Sequence, residues 1–130
     1  MSPGKAIRLL SICDDDGIRF SRGLVLKHEG YEVESVPSNE KLDPPWVRSF
    51  HIAVLCHSLS PSRAAEIAIT LRRYNPDIGI LRVHAIRAAT DHFYDVDCEV
   101  LPGPGQLLSA IHTLVARSEI PARIEERKRA

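Results

Sequence analysis

Short apolar runs alternate with amphipathic segments along most of this chain, and this alternation constrains the fold more than any other feature. The runs occupy residues 7–13, 52–56, 78–83 and 98–101, and residues 31–36 alternate between polar and apolar side chains as a strand does. A short, nearly continuous apolar run suits a strand covered on both faces, as the strands of parallel sheets are. Strands that alternate with helices form such a sheet through right-handed crossovers. We therefore expect an α/β domain with a doubly wound, five-stranded parallel sheet.

Helix signals fill most of the intervals between these runs. Residues 18–28 predict a helix, and Gly30 follows it where a C-terminal cap belongs. Pro61 and Pro104 each suit the first turn of a further helix. An apolar stripe with helical spacing follows the first of these prolines and consists of Ala64, Ile67, Ala68 and Leu71.

Two intervals are too irregular for long helices. Prolines limit residues 37–49 to a short, irregular helix. Residues 85–96, which include Asp91, His92 and Asp95, allow three helical turns at most. We therefore expect the fourth helix of the domain, in this second interval, to be shortened.

The length of 130 residues fits one domain around one core. We predict a short N-terminal extension at residues 1–5, the domain itself at residues 6–117, and a charged C-terminal tail at residues 118–130. Since no long apolar run follows the N-terminus, we expect neither a signal peptide nor a membrane anchor there.

Charge and cysteine content argue against several classes of function. Seventeen basic residues balance seventeen acidic ones, so no net field draws the chain to nucleic acid or to an anionic membrane. Three cysteines without a CxxC pair fit neither a zinc ribbon nor a disulfide framework. The composition therefore favours a reduced, cytoplasmic protein that binds neither nucleic acid nor membranes.

Residues with chemical potential lie where the predicted strands end, and ligands of open α/β sheets bind at those carboxyl ends. The ends consist of Cys13-Asp14-Asp15-Asp16, Cys56-His57-Ser58, Val83-His84-Ala85 and Leu101-Pro102-Gly103-Pro104. Together with Glu29-Gly30-Tyr31 after the first helix, they resemble the receiver domain of bacterial two-component response regulators. The resemblance spans residues 6–117 and implies the flavodoxin-like strand order 2-1-3-4-5.

The reactive residues of that family are matched only in part. A receiver domain accepts a phosphoryl group on an Asp after its third strand, and it has a Ser or Thr after the fourth and a Lys after the fifth. Here Cys56 corresponds to the acceptor and His84 to the Ser or Thr. No lysine occurs between Lys41 and Lys128, so the family's cation is missing as well.

The acidic pair that holds Mg²⁺ in the family has two registers in this sequence. It corresponds to Cys13-Asp14 or, with a one-residue gap, to Asp14-Asp15. A plainer interpretation is that these aspartates cap the first helix, whose exposed N–H groups and dipole favour carboxylates.

These replacements weaken the case for aspartyl phosphorylation. Mg²⁺ prefers oxygen ligands, and the transition state of phosphoryl transfer needs positive charge around it. The resemblance therefore implies a pseudo-receiver, a stand-alone signalling domain that has no cofactor and no catalytic residue. We expect it to act by binding a protein partner, which the sequence does not name, and the sequence leaves a homodimer open.

Two alternatives use the same strand ends. Cys13, Cys56 and His84 should lie near one another, with Asp14, Asp15 and His57 close by. Thiols with an imidazole are a Zn²⁺ ligand set, and two neighbouring thiols can form a reversible disulfide, which would make a metal or redox sensor. Equally, the two cysteines can be buried, inert side chains. Cys98 is expected at the opposite end of the fifth strand and takes no part.

An enzyme is the least supported class. Cys56 could act as a nucleophile with His57 or His84 as its base, but no oxyanion or substrate signature accompanies this set.

Overall fold

The computed structural model describes residues 7–84, 96–99 and 104–117, which form alternating strands and helices. The strands are β1 (Arg8–Ile12), β2 (Glu32–Val36), β3 (Ile52–Leu55), β4 (Gly79–His84) and β5 (Val96–Glu99). The helices are α1 (Asp16–His28), α2 (Pro44–Val47), α3 (Pro61–Tyr74) and α4 (Pro104–Arg117). The predicted α/β alternation is confirmed.

Every strand pairing in the sheet is parallel. The order is β2-β1-β3-β4, and β5 pairs with β4 beyond it. The order of the first four strands confirms the predicted flavodoxin-like arrangement. Because the strands all run in one direction, their carboxyl ends share one edge of the sheet.

Helices cover the sheet on both faces, and the side chains of β1 show how. Leu10 and Ile12 belong to a core cluster that also contains the apolar stripe of α3. Leu9 faces the other way and packs with Leu26 of α1 and Leu114 of α4. The buried residues of α3 are the predicted stripe, Ala64, Ile67, Ala68 and Leu71. This packing confirms the doubly wound arrangement.

The irregular interval before β3 contains the short helix that its prolines predict. Four residues form α2, and its first turn contains Pro44 and Pro45. The buried Asn75 side chain donates hydrogen bonds to the carbonyl oxygens of Val47 (3.1 Å) and Phe50 (2.9 Å). These bonds fix the entry to β3 against the end of α3.

One predicted strand starts earlier than expected. The structure begins β5 at Val96, two residues before the predicted start at Cys98, because pairing with β4 rather than apolar content sets that start. Cys98 therefore pairs with Val83 as the third residue of β5, and its expected place at the opposite end of the strand is wrong. The predicted shortened helix and both predicted terminal segments lie outside the described residues.

No helix in the described part of the chain combines the length and the apolar character that crossing a bilayer requires.

Candidate functional site

The thiols of Cys13 and Cys56 meet where two central strands end. Ile12 and Leu55 are register partners at the last positions of β1 and β3, so the two cysteines follow side by side. The backbone ladder continues past both strands, since the Cys56 N–H donates to Ile12 (3.0 Å) and the Cys13 N–H donates to Val36 (3.0 Å). Both cysteines are fully buried. The two thiols therefore stand on rigid backbone.

Ser58 connects the two loops that carry these thiols. Its Oγ lies 3.4 Å from Cys13 Sγ and accepts a hydrogen bond from the Asp14 N–H at 3.0 Å. The Cys13 thiol also lies 3.7 Å from the carbonyl oxygen of Asp15, and Cys56 Sγ lies 3.7 Å from His57 Nδ1. The hydroxyl of Ser58 thus joins the loop after β3 to the loop after β1.

The pKa values of the two thiols are shifted in opposite directions. A hydrogen bond with Cys13 lowers the pKa of Cys56, and Ser58 and the positive charge of Arg22 lower it further, while burial opposes them. The hydrogen bond with Cys56, together with burial, raises the pKa of Cys13. Cys56 is therefore the thiol that more readily becomes a thiolate, and Cys13 donates to it.

Asp14, Asp15 and Asp16 bind three different partners. Asp14 accepts hydrogen bonds from the Ser38 N–H (2.7 Å) and hydroxyl (2.8 Å), and these hydrogen bonds lower the pKa of Asp14. Asp15 caps α1 by accepting from the Ile18 N–H at 2.9 Å. Asp16 forms an ion pair with Arg19. Capping thus accounts for Asp15 alone, and the exposed carboxylate of Asp14 is held by the loop after β2.

Two arginines that the sequence analysis overlooked supply positive charge beside Cys56. Arg82 of β4 is buried and donates hydrogen bonds to the carbonyl oxygens of Cys56 and Leu59. Arg22 of α1 is 9% exposed, and its Nη1 atom has no hydrogen-bond partner among the described residues. Neither arginine was predicted as part of the site, although an arginine inside the apolar run 78–83 is visible in the sequence.

A second loop contact brings α3 to the same edge of the sheet. Arg63, in the first turn of α3, donates a hydrogen bond to the carbonyl oxygen of Ser38 at 2.5 Å. Ser38 in turn holds Asp14, so the loops after β1 and β2 and the start of α3 form one connected network. Sequence reasoning missed Ser38 and Arg63 because this contact depends on loop conformations.

The metal-binding alternative gains no ligand set from these positions. His84 ends β4, where its backbone pairs with Glu99, but the His84 side chain lies outside what the structure describes. Within residues 7–84, 96–99 and 104–117, no three or more His, Cys, Asp or Glu side chains are grouped closely enough to hold a metal ion. The structure thus brings Cys13 and Cys56 together and leaves His84 undecided.

Solved structures share this fold. A CheY-like response regulator receiver domain from Methanospirillum hungatei is 20% identical, with a TM-score of 0.66, over 95% of this chain and 98% of that chain. A chain in the complex of histidine kinase ThkA with response regulator TrrA of Thermotoga maritima is 18% identical, with a TM-score of 0.65, over 84% and 98% of the two chains. No protein-family model and no curated protein matches the sequence.

Most of these structural neighbours are named as signalling proteins, but one is named as an enzyme. The adenylate cyclase structure from Rhodopirellula baltica is 14% identical, with a TM-score of 0.67, over 95% of this chain and 98% of that chain. At such identities the likeness shows the fold, which is the α/β flavodoxin-like fold of receiver domains.

Proposed function

We propose that this chain is a pseudo-receiver, a bacterial, cytoplasmic signalling domain that is not phosphorylated on Asp and acts by binding another protein. The proposal covers a domain at residues 6–117 with five strands and a shortened fourth helix. Its degenerate pocket consists of Cys13, Asp14, Asp15, Cys56 and His84.

One observation carries this proposal: a buried thiol follows β3, beside a second buried thiol that follows β1. A carboxylate would offer an oxygen nucleophile and a hard ligand for Mg²⁺, whereas a thiol is a poor ligand for that ion. The aspartates of the first loop are held by Ser38, by the α1 cap and by Arg19. Little is therefore left at this edge to clamp a metal and a phosphoryl group.

Protein binding is the activity that the fold itself favours. In the ThkA–TrrA complex a response regulator is bound to a histidine kinase, so the fold serves protein recognition in that pair. The balanced charge of this chain gives no reason to expect nucleic acid. We propose a protein partner of a signalling pathway, and we propose no enzymatic activity and no cofactor.

The experiment that tests the proposal is incubation with acetyl phosphate and Mg²⁺, followed by intact mass measurement. We expect no phosphoryl adduct, while a conventional receiver domain treated in the same tube acquires one. A phosphoryl adduct that is lost in the Asp14→Asn or Asp15→Asn variant would overturn the proposal. An adduct lost only in the Cys56→Ser variant would also overturn it, because the pocket would then be a working phosphoryl acceptor.

A further inference from the structure

We propose that Cys13 and Cys56 are a redox-active pair that small hydroperoxides oxidise to an intramolecular disulfide, with Cys56 as the reacting thiolate. Its role as a signal rests on the proposed function, whereas the chemistry rests on the geometry of the pair alone.

The backbone already places the two cysteines at disulfide distance. They extend the register of β1 and β3 by one residue, and a ladder hydrogen bond joins Cys56 to Ile12. Neighbouring strands lie about 4.8 Å apart, and disulfide-bonded Cα atoms lie about 4.4–6.8 Å apart. The spacing of neighbouring strands therefore lies within the Cα range of disulfides.

Separate contacts give the two thiols different roles. Cys13 and Ser58 provide the hydrogen bonds that favour a thiolate at Cys56. Arg22 adds positive charge, and its buried Nη1 has no hydrogen-bond partner among the described residues, so an anion at Cys56 gives this guanidinium a counter-charge. Cys13 keeps its proton and is suited to resolve the oxidised partner.

The reaction has two steps. The Cys56 thiolate attacks the terminal oxygen of a hydroperoxide, the O–O bond breaks, and the leaving alkoxide or hydroxide takes up a proton. Cys56 is now a sulfenic acid, two electrons having passed from sulfur to the peroxide. Cys13 sulfur then attacks Cys56 sulfur, an S–S bond forms, and the hydroxyl leaves as water with the Cys13 proton. A dithiol reductant reverses the change.

Burial selects the oxidant. Both cysteines are fully buried, and the hydroxyl of Ser58, in the loop after β3, contacts the Cys13 thiol. Bulky disulfide reagents must open this loop before they can react, whereas a hydroperoxide needs little space. The oxidant class is therefore a small peroxide rather than a disulfide that exchanges with the protein.

The first experiment treats the full chain with hydrogen peroxide and measures intact mass, then maps tryptic peptides without reduction. Cleavage after arginine places the three cysteines in separate peptides, 9–19, 49–63 and 88–117. We expect a loss of two hydrogen atoms per chain and a cross-linked pair of the first two peptides. The inference is overturned if both cysteines stay reduced under conditions that oxidise free glutathione, or if the bond involves Cys98.

Variants separate the roles. Cys13→Ser keeps a hydrogen-bond donor but no resolving sulfur, so oxidation should stop with one added oxygen on Cys56. Cys56→Ser should abolish the fast reaction. If instead Cys13 oxidises at the same rate in the Cys56→Ser variant, the assignment of Cys56 as the reacting thiolate is wrong.

Arg22 is a positioning residue, so its test is a pH profile. Arg22→Gln should move the half-maximal oxidation rate to higher pH, and Arg22→Lys should largely restore it. Arg73→Gln, on the exposed face of α3, is the matched control and should leave the profile unchanged. An unchanged profile in Arg22→Gln removes Arg22 from the inference.

Failure of the pair to oxidise leaves the acetyl phosphate result untouched, so the two proposals fail separately.

Discussion

The guanidinium group of Arg82 donates a hydrogen bond to the carbonyl oxygen of Leu59, with Nη2 and the oxygen 3.0 Å apart. Its other terminal nitrogen donates to the carbonyl oxygen of Cys56. A side chain from β4 thus holds the loop that follows β3, and with it the position of the Cys56 thiol. The carbonyl oxygen of Cys56 also accepts a hydrogen bond from the Leu59 N–H at 3.1 Å, so Arg82 reinforces a turn that the backbone closes.

Replacing Arg82 should therefore destabilise the domain. Arg82→Met fills a similar volume but removes both hydrogen bonds and leaves the Leu59 carbonyl oxygen without its donor, so we expect the free energy of unfolding to fall by about 1–3 kcal/mol. Urea denaturation followed by circular dichroism measures this difference. The control is Arg73→Met on the exposed face of α3, which should stay within about 0.5 kcal/mol of the parent. Equal effects of the two substitutions would refute the bracing role.

The cap of α1 separates Asp15 from its neighbour. Asp15→Ala removes the acceptor of the Ile18 N–H and should lower stability by about 1 kcal/mol. Asp16→Ala removes only an exposed ion pair with Arg19 and should cost less, about 0.5 kcal/mol. Thermal unfolding of both variants tests the ranking, and a larger loss for Asp16→Ala contradicts it. Asp15→Ser should retain most of the stability, because serine also caps well.

Asp14 should make stability depend on pH in the acid range. Its folded-state pKa is lowered by the Ser38 hydrogen bonds, so its contribution is complete above the ordinary value of 3.8 and disappears as the pH falls through the folded-state pKa. Asp14→Asn should therefore melt below the parent at neutral pH, with a difference that shrinks in acid. Melting curves between about pH 7 and pH 2 test this.

The Ser38→Ala variant refines the test of Asp14. It removes the hydroxyl but keeps the backbone N–H, which is the larger cause of the lowered pKa of Asp14. We expect an effect of the same sign and smaller size. A melting difference for Asp14→Asn that stays constant down to the lowest pH would show that the carboxylate acts without its charge.

Gly30 follows α1 in a backbone conformation that other residues rarely adopt. Its φ angle is +96°, and its N–H donates to the carbonyl oxygen of Lys27 at 3.0 Å. Gly30→Ala should cost roughly 1–2 kcal/mol through strain alone, since a Cβ there would meet no atom within 4 Å. Gly17→Ala, in the exposed first turn of α1, should instead be neutral or stabilising by up to about 1 kcal/mol. A chemical denaturation series that compares the two tests the opposite signs.

Elements with a strong period or a fixed backbone requirement could be predicted from the sequence. The stripe of α3 and the position of Gly30 after α1 each follow from local chemistry, and both are confirmed. The limits of β5 could not be predicted in this way. That strand is set by its pairing with β4, and the two residues added at its start are Val96 and Asp97.

The candidate site could be predicted only as far as the backbone determines it. Strand order alone places Cys13 beside Cys56, because residues that follow neighbouring parallel strands meet at one edge. Ser58 and Ser38 depend on loop paths that no period encodes. Arg22 and Arg82 could not be predicted from the family pattern, because that pattern has a lysine after the fifth strand and these two cations lie on α1 and β4.

The hydrogen bond from Arg82 also places a guanidinium group against the backbone of Cys56. The charge that acts on the Cys56 sulfur comes instead from Arg22 of α1, so the two arginines act on different atoms of one residue. Alkylation of the sulfur should therefore disturb the interaction with Arg22 and leave the hydrogen bond from Arg82 in place.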